Sequence, residues 1–85
     1  MARVEWTEEA LNELAAIWTA AESTDRAAIT AAANAVDAQL QRDPLHAGES
    51  RVRDERILFE APLGVTFSVQ NDSSSALVLH VWQFQ

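Results

Sequence analysis

The hydrophobic pattern of this sequence changes its period once, at Asp43-Pro44, and this change limits the folds open to the chain. Before Asp43, apolar residues recur at spacings of three and four, which is typical of amphipathic helices. After Pro44 they alternate with polar residues, as in strands with one buried face. A proline ring disfavours helical geometry at the residue before it. The sequence therefore predicts a helical part that ends here and a stranded part that follows.

The part of the chain before Asp43 is predicted to contain a short strand and then a helical hairpin of about residues 7–42. Val4 and Trp6 alternate with polar residues, as in a strand. Thr7 is a suitable N-cap, because its hydroxyl can accept a hydrogen bond from the first turn. The apolar stripe of the first helix, which is expected to reach about Glu22, is Leu11, Leu14, Ile17, Trp18 and Ala21. The stripe of the second helix is Ile29, Ala33, Val36 and Leu40.

The stranded part is predicted to contain three antiparallel strands. The first covers Arg51 to Glu60, Pro62-Leu63-Gly64 is a break, and the second alternates over Val65 to Val69. A polar turn then leads to a last run, from Ala76 to Phe84, that is apolar on both faces, which indicates a central strand. Its predicted helix-facing side chains are Leu77, Leu79 and Val81. Those predicted to face away are Val78, His80, Trp82 and Phe84.

Length and composition predict one domain, residues 1–85. The sequence has no cysteine, which excludes disulfides and thiolate metal sites. No apolar run has the length of a signal peptide or of a membrane span. We therefore expect a cytoplasmic protein that does not bind a membrane. No phosphate-loop, zinc or Ser-His-Asp pattern is present, so no cofactor and no metal site are predicted.

The charge of the chain disfavours nucleic acid as a partner. Six arginines face thirteen acidic residues, giving a net charge of -7. A nucleic-acid binder normally carries a basic surface. The imbalance is uneven, however, because residues 42–56 hold four arginines and four acids. One interpretation is a locally neutral, arginine-bearing strand on an acidic body, and the other is that the acids simply keep a small protein soluble.

The order strand, helix, helix, strand, strand, strand resembles the RelE/ParE superfamily of bacterial toxins, the small partners in type II toxin–antitoxin pairs. The resemblance covers nearly the whole chain and rests on Asp43-Pro44, on Arg56 in the next strand, and on Leu63 to Val69. It implies an α+β fold, β-α-α-β-β-β, with a helical hairpin packed on one face of a small, mainly antiparallel sheet. It also implies a cognate antitoxin as the partner of this atypical, acidic member.

The resemblance further implies where catalysis would take place. RNA cleavage needs a cation for the phosphate charge and an acid or base, and Arg56 and His80 are residues of those types. Glu49 or Glu55 could supply a base. Where relatives have a second arginine, this chain has Pro62-Leu63, and its tail carries no positive charge. The expected catalytic site is therefore degenerate, and whether the protein is an enzyme stays open.

A partner surface is predicted on the sheet face that the helices leave open. Its expected residues are Arg51, Arg53, Trp82 and Phe84. Monomers seldom leave large apolar patches in water, so another chain should cover this face. Trp82 and Phe84 could equally belong to the core or to a homodimer interface, and His80 could be a packed, hydrogen-bonded histidine.

Four functions agree with these observations. The leading hypothesis is a toxin-like protein that acts mainly by binding a protein partner, an antitoxin whose amphipathic segment lies against the sheet or the helices. The alternatives are a ribosome-dependent, mRNA-cleaving toxin with a site around Arg56 and His80, a gyrase-targeting toxin of the ParE type, and a homodimeric fold relative without a toxic role.

Overall fold

The computed structural model describes residues 1–50, 54–70 and 74–85. Within these residues the elements are β1 Arg3–Trp6, α1 Glu8–Ala20, α2 Ser23–Arg42, β2 Glu49–Ser50, β3 Glu55–Glu60, β4 Leu63–Gln70 and β5 Ser75–Gln83. The predicted order is confirmed, with the short strand β2 added before β3. Neither of these helices is long and apolar enough to cross a membrane.

The strands form a single five-stranded sheet in the order β1-β5-β4-β3-β2. β1 pairs with β5 in parallel, whereas the other three pairings are antiparallel. β5 therefore lies between β1 and β4, as its two apolar faces predicted. The helical hairpin connects β1, at one edge of the sheet, to β2, at the other edge.

The helices cover one face of the sheet, called here the helix face. α2 contributes Ile29, Val36 and Leu40, all fully buried. They pack in one core with the fully buried side chains of β4 and β5: Leu63, Val65, Phe67 and Val78. Burying each such side chain stabilises the fold by about 1.5–3 kcal/mol. Since side chains alternate along a strand, residues of the other parity lie on the opposite face, called here the open face.

A β-bulge at Leu79 interrupts the pairing of β5 with β4. Phe67 pairs with Val78 and the preceding residue, Thr66, pairs with His80, so Leu79 has no counterpart in β4. An extra residue of this kind shifts the alternation of side chains in the strand that carries it. Even-numbered residues of β5 therefore face the helices before the bulge, and odd-numbered residues face them after it.

The bulge corrects the predicted faces of the last strand. Val78 was expected to face away from the helices, but it is fully buried on the helix face. Val81 was expected on the helix face and is buried there. Leu77 was expected to face the helices, but it pairs with Ser68 on the open face. The prediction is thus wrong for Val78 and Leu77, because a strict alternation cannot anticipate an inserted residue.

The first helix begins as predicted and ends slightly earlier. The Thr7 hydroxyl accepts a hydrogen bond from the N–H of Ala10 at 3.0 Å, which confirms Thr7 as the N-cap. The helix ends at Ala20 rather than near Glu22. Its short connection to α2 fits a tight helical hairpin.

The buried stripe of α1 differs from the predicted one. Ala10 is fully buried and Leu14 and Ile17 are partly buried, whereas Leu11 and Trp18 are 51% and 42% exposed. The physical reason is that α1 packs mainly against β5 and has few contacts with α2. The side of α1 that faces α2 therefore stays open.

The first strand after the helices is shorter than predicted. β3 begins at Glu55, Asp54 lies in a turn, and residues 51–53 lie outside the described residues. The predicted break at Pro62-Leu63-Gly64 is confined to Ala61-Pro62, since β4 already begins at Leu63. β3 and β4 consequently form a tight antiparallel hairpin.

Candidate functional site

A groove of about 440 Å³ lies between α1 and α2. Its lining is mostly apolar and consists of Leu11, Leu14, Ala15, Trp18, Thr19, Ile29, Thr30, Ala33 and Asn34. The groove stays open because α2 contributes small side chains here, such as Ala33, and these do not fill the space between the helices. Exposed apolar surface that is concave and contiguous indicates a binding site.

Arg26 holds one wall of this groove in place. Its guanidinium lies 4.4 Å from the ring centroid of Trp18. Its Nε and Nη2 donate to the backbone carbonyl oxygens of Trp18 and Thr19 at 2.9 and 3.0 Å, which satisfies carbonyls at the end of α1. The Trp18 indole N–H also donates to the Thr30 hydroxyl at 3.3 Å, across the groove. Trp18 is thus held between the two helices at the rim of the groove.

The helical part of the chain, which contributes both walls of the groove, is acidic. Residues 1–41 hold two arginines, Arg3 and Arg26, against seven acids: Glu5, Glu8, Glu9, Glu13, Glu22, Asp25 and Asp37. Complementary charge favours encounter with a partner of the opposite sign and fixes its orientation. A partner segment with apolar anchors and basic flanks would therefore complement this part of the chain.

The open face carries a cluster of three aromatic rings, called here the aromatic cluster. Phe59 meets Trp82 edge-on with centroids 6.1 Å apart, and it meets Phe84 at 5.1 Å. Phe59 and Phe84 are 52% and 42% exposed. Trp82 and Phe84 had been predicted to form a partner surface, whereas Phe59 had not been included. It joins them because β3 pairs with β4 and places Phe59 beside Gly64, opposite Trp82.

Arg56 supports the segment between α2 and β3. Its guanidinium donates to the carbonyl oxygens of Ala47 and Gly48 at 3.0 and 3.3 Å and to the Ser50 hydroxyl at 2.7 Å. Gly48 has a φ of 65°, in the region that favours glycine, and a Cβ there would collide with the Ile57 carbonyl. The arrangement indicates a structural contribution of Arg56.

His80 lies next to α1 and its side chain is 51% exposed. Its Nδ1 is 3.4 Å from a carboxylate oxygen of Glu9 and 3.5 Å from one of Glu13. The other oxygen of Glu13 accepts the backbone N–H of Val81 at 2.9 Å. Sequence reasoning missed the two acids. Their spacing of one helical turn was visible, but nothing in the sequence placed them beside a distant histidine.

The structure does not bring Arg56 and His80 together. Arg56 is in β3 and donates to the segment between α2 and β3, whereas His80 is in β5 and lies beside carboxylates of α1. β4 also separates their strands, which adds roughly 10 Å. The two residues therefore do not share one site.

The structure describes only some of the remaining predicted residues. Arg51 and Arg53 lie outside the described residues. Glu49 is in β2, and Glu55 begins β3 at an exposed position. Glu55 pairs with Ser68, which lies two residues along β4 from Thr66, the partner of His80.

The fold is similar to solved structures of toxins. A chain in the crystal structure of the toxin–antitoxin complex RelBE2 from Mycobacterium tuberculosis matches with a TM-score of 0.75 and 15% identity, over 96% of each chain. A chain of the chromosomal ParDE system from P. aeruginosa matches with a TM-score of 0.66 and 22% identity, over 100% of this chain and 98% of that one.

The isolated E. coli RelE toxin gives a TM-score of 0.64 and 17% identity, over 100% of this chain and 86% of that chain. No family model matches the sequence, and no curated protein matches it. At these identities the similarity shows the fold, which is that of RelE and ParE. The predicted fold class, a helical hairpin on a small and mainly antiparallel sheet, is confirmed.

Proposed function

We propose that this protein is the toxin-like component of a type II toxin–antitoxin pair and acts mainly by binding an antitoxin in the cytoplasm. The observation that carries the proposal is the apolar groove between α1 and α2, with Leu11 and Trp18 exposed at it. The RelE/ParE fold supports it, because structures of similar fold are described as toxin–antitoxin complexes.

The groove and its charge describe the segment that would bind. An amphipathic helix places apolar anchors at spacings of three and four along one side, and these fit an elongated apolar groove. Lysines and arginines on its flanks would face the acids of α1 and α2. Burying Leu11 and Trp18 under such a helix removes from water two of the large apolar side chains that the described chain exposes.

The geometry supports a degenerate catalytic site. Arg56 donates to three acceptors of its own chain, and His80 lies two strands away, beside α1. Cleavage of a phosphate ester needs donors that converge on the developing charge. With these two groups apart, partner binding is a better supported function than ribosome-dependent RNA cleavage.

The proposal is tested by co-expression with the product of the adjacent short reading frame. We expect a stable complex on size-exclusion chromatography and its loss when the amphipathic segment of that product is deleted. A deletion of equal length outside this segment serves as the control. The proposal fails if the two proteins elute separately, or if the complex survives deletion of the amphipathic segment.

The aromatic cluster favours a second candidate, a homodimer that buries the open face. Phe59 and Phe84 are half exposed there, and aromatic residues are frequent anchors of interfaces. Sedimentation velocity of the purified chain separates the two candidates. A dimer that Phe59→Glu dissociates and Leu11→Glu leaves intact would support the homodimer. If the chain is a monomer, the open face does not form a homodimer interface.

A further inference from the structure

We propose that Glu9, Glu13 and His80 form a binding site for a divalent transition-metal ion, with Zn²⁺ as the best fit. The three residues come from the first helix and the last strand, and one ligand atom of each lies within 4.8 Å of the other two. Imidazole nitrogen and carboxylate oxygen are common Zn²⁺ ligands. The site is separate from the groove and does not depend on the proposed partner.

The distances from His80 to the two carboxylates fit a tetrahedral ion. Zn–N and Zn–O bonds of about 2.0–2.2 Å place neighbouring ligand atoms roughly 3.3–3.6 Å apart. Nδ1 of His80 is 3.4 Å from Glu9 and 3.5 Å from Glu13. A hydrogen bond between these groups would be shorter, at about 2.7–3.2 Å. The spacing is therefore better suited to a shared ion than to direct hydrogen bonds.

The backbone prepares each ligand for this arrangement. Glu9 and Glu13 are one helical turn apart, so they lie on the same side of α1. Glu13 Oε1 accepts the N–H of Val81 at 2.9 Å, which orients the carboxylate and directs its second oxygen to His80. The bulge at Leu79 precedes His80, and bulges redirect the side chains beside them.

The charge of the surroundings favours a cation. Glu8 precedes Glu9 on α1, and the chain carries a net charge of -7. Two carboxylates and a neutral imidazole leave a bound divalent ion without excess charge. Three protein ligands leave a fourth position for water, as in catalytic zinc sites. A bound ion would join α1 to β5 and stabilise the folded state.

The competing explanation is a plain ion pair between a protonated His80 and the two acids. The chain offers a matched control for it, since His46 Nδ1 lies 2.9 Å from both carboxylate oxygens of Asp43. This second histidine has one acid beside it and is 80% exposed in its side chain. It should form an ion pair and should not hold a metal.

The experiment is calorimetric titration of the purified, tag-free chain with ZnCl₂, together with visible absorption in CoCl₂. We expect binding of one equivalent, a tetrahedral Co²⁺ spectrum, and a higher Tm with Zn²⁺. His80→Gln and Glu9→Gln should abolish all three, and His46→Gln should keep them. These positions are exposed, and circular dichroism verifies that each variant is folded.

Two results would overturn the metal site. The first is the absence of stoichiometric binding at millimolar Zn²⁺, which would leave the ion pair as the explanation. The second is binding that persists in His80→Gln, which would place the ion elsewhere on the acidic surface. Loss of metal in these variants with retention of the partner complex would show that the site and the groove act independently.

Discussion

The indole ring of Trp82 lies directly over Gly64: a Cβ built at position 64 would be 2.6 Å from Cε2 and Cζ2 of the ring. Only the absence of a side chain at Gly64 lets the indole sit this low on the open face, with Phe59 at its edge. The glycine is therefore required for the aromatic cluster, and not for any special backbone angle.

Gly64→Ala should displace the indole and destabilise the protein. Overpacking of this kind costs about 1–3 kcal/mol. Urea unfolding measures the change in the free energy of unfolding. Gln70→Ala is the control in the same strand, because Gln70 is exposed and should change stability by less than about 0.5 kcal/mol. Equal stability of Gly64→Ala and the parent chain would contradict the close approach.

Arg56→Ala should act on stability. The variant loses hydrogen bonds to Ala47, Gly48 and Ser50, and we expect a loss of about 1–3 kcal/mol in the free energy of unfolding. Arg56→Lys should recover little, since one ammonium cannot reproduce the planar fork of donors. Denaturant unfolding of both variants measures this. Unchanged stability of Arg56→Ala would show that other contacts hold the segment between α2 and β3.

Asp37 links the first strand to the second helix. Its carboxylate accepts the Trp6 indole N–H at 3.0 Å and the Gln41 side-chain amide at 3.1 Å. Asp37→Ala leaves the part-buried indole N–H without this acceptor, and we expect a loss of about 1–3 kcal/mol. Asp37→Asn keeps an oxygen for Trp6 and should lose less. Thermal unfolding compares the variants, and equal losses in both would show that charge rather than the hydrogen bond matters.

Expression of this protein alone should be at most mildly toxic to a bacterial host. The reason is the separation of Arg56 from His80, since loss of one charge-stabilising donor costs other enzymes about 100–1,000-fold in rate. Growth and translation are followed after induction, with Arg56→Ala and His80→Ala in parallel. Strong arrest that His80→Ala abolishes, in a folded variant, would promote RNA cleavage. Arrest that neither substitution affects would point to a gyrase-type mechanism.

The sequence predicted the order of elements, the Thr7 cap and the central position of β5. These features depend on local chemistry and on period, which a sequence displays directly. The bulge at Leu79 was not predictable, because an inserted residue leaves no mark on an apolar run. The buried face of α1 was predicted wrongly. Leu11 and Trp18 have the spacing of a buried stripe, but they are exposed because α1 packs mainly against β5 and has few contacts with α2.

The candidate sites were less visible than the fold. The groove exists because two helices with regular apolar stripes fail to close on each other, and this depends on their relative placement. His80 is separated from Glu9 and Glu13 by most of the chain. The resemblance to toxins grouped Arg56 with His80, although β4 lies between their strands and His80 lies beside α1.

The central claim is that a partner binds in the groove between α1 and α2, and calorimetric titration with the co-encoded partner tests it most directly. Leu11→Glu places a charge at the exposed edge of the groove, while Leu45→Glu makes the same change at an exposed leucine elsewhere, 48% accessible. We expect Leu11→Glu to weaken the Kd by about 30-fold or more, as for a hot-spot residue, and Leu45→Glu to leave it unchanged. Equal affinities of Leu11→Glu and the parent chain would contradict the account.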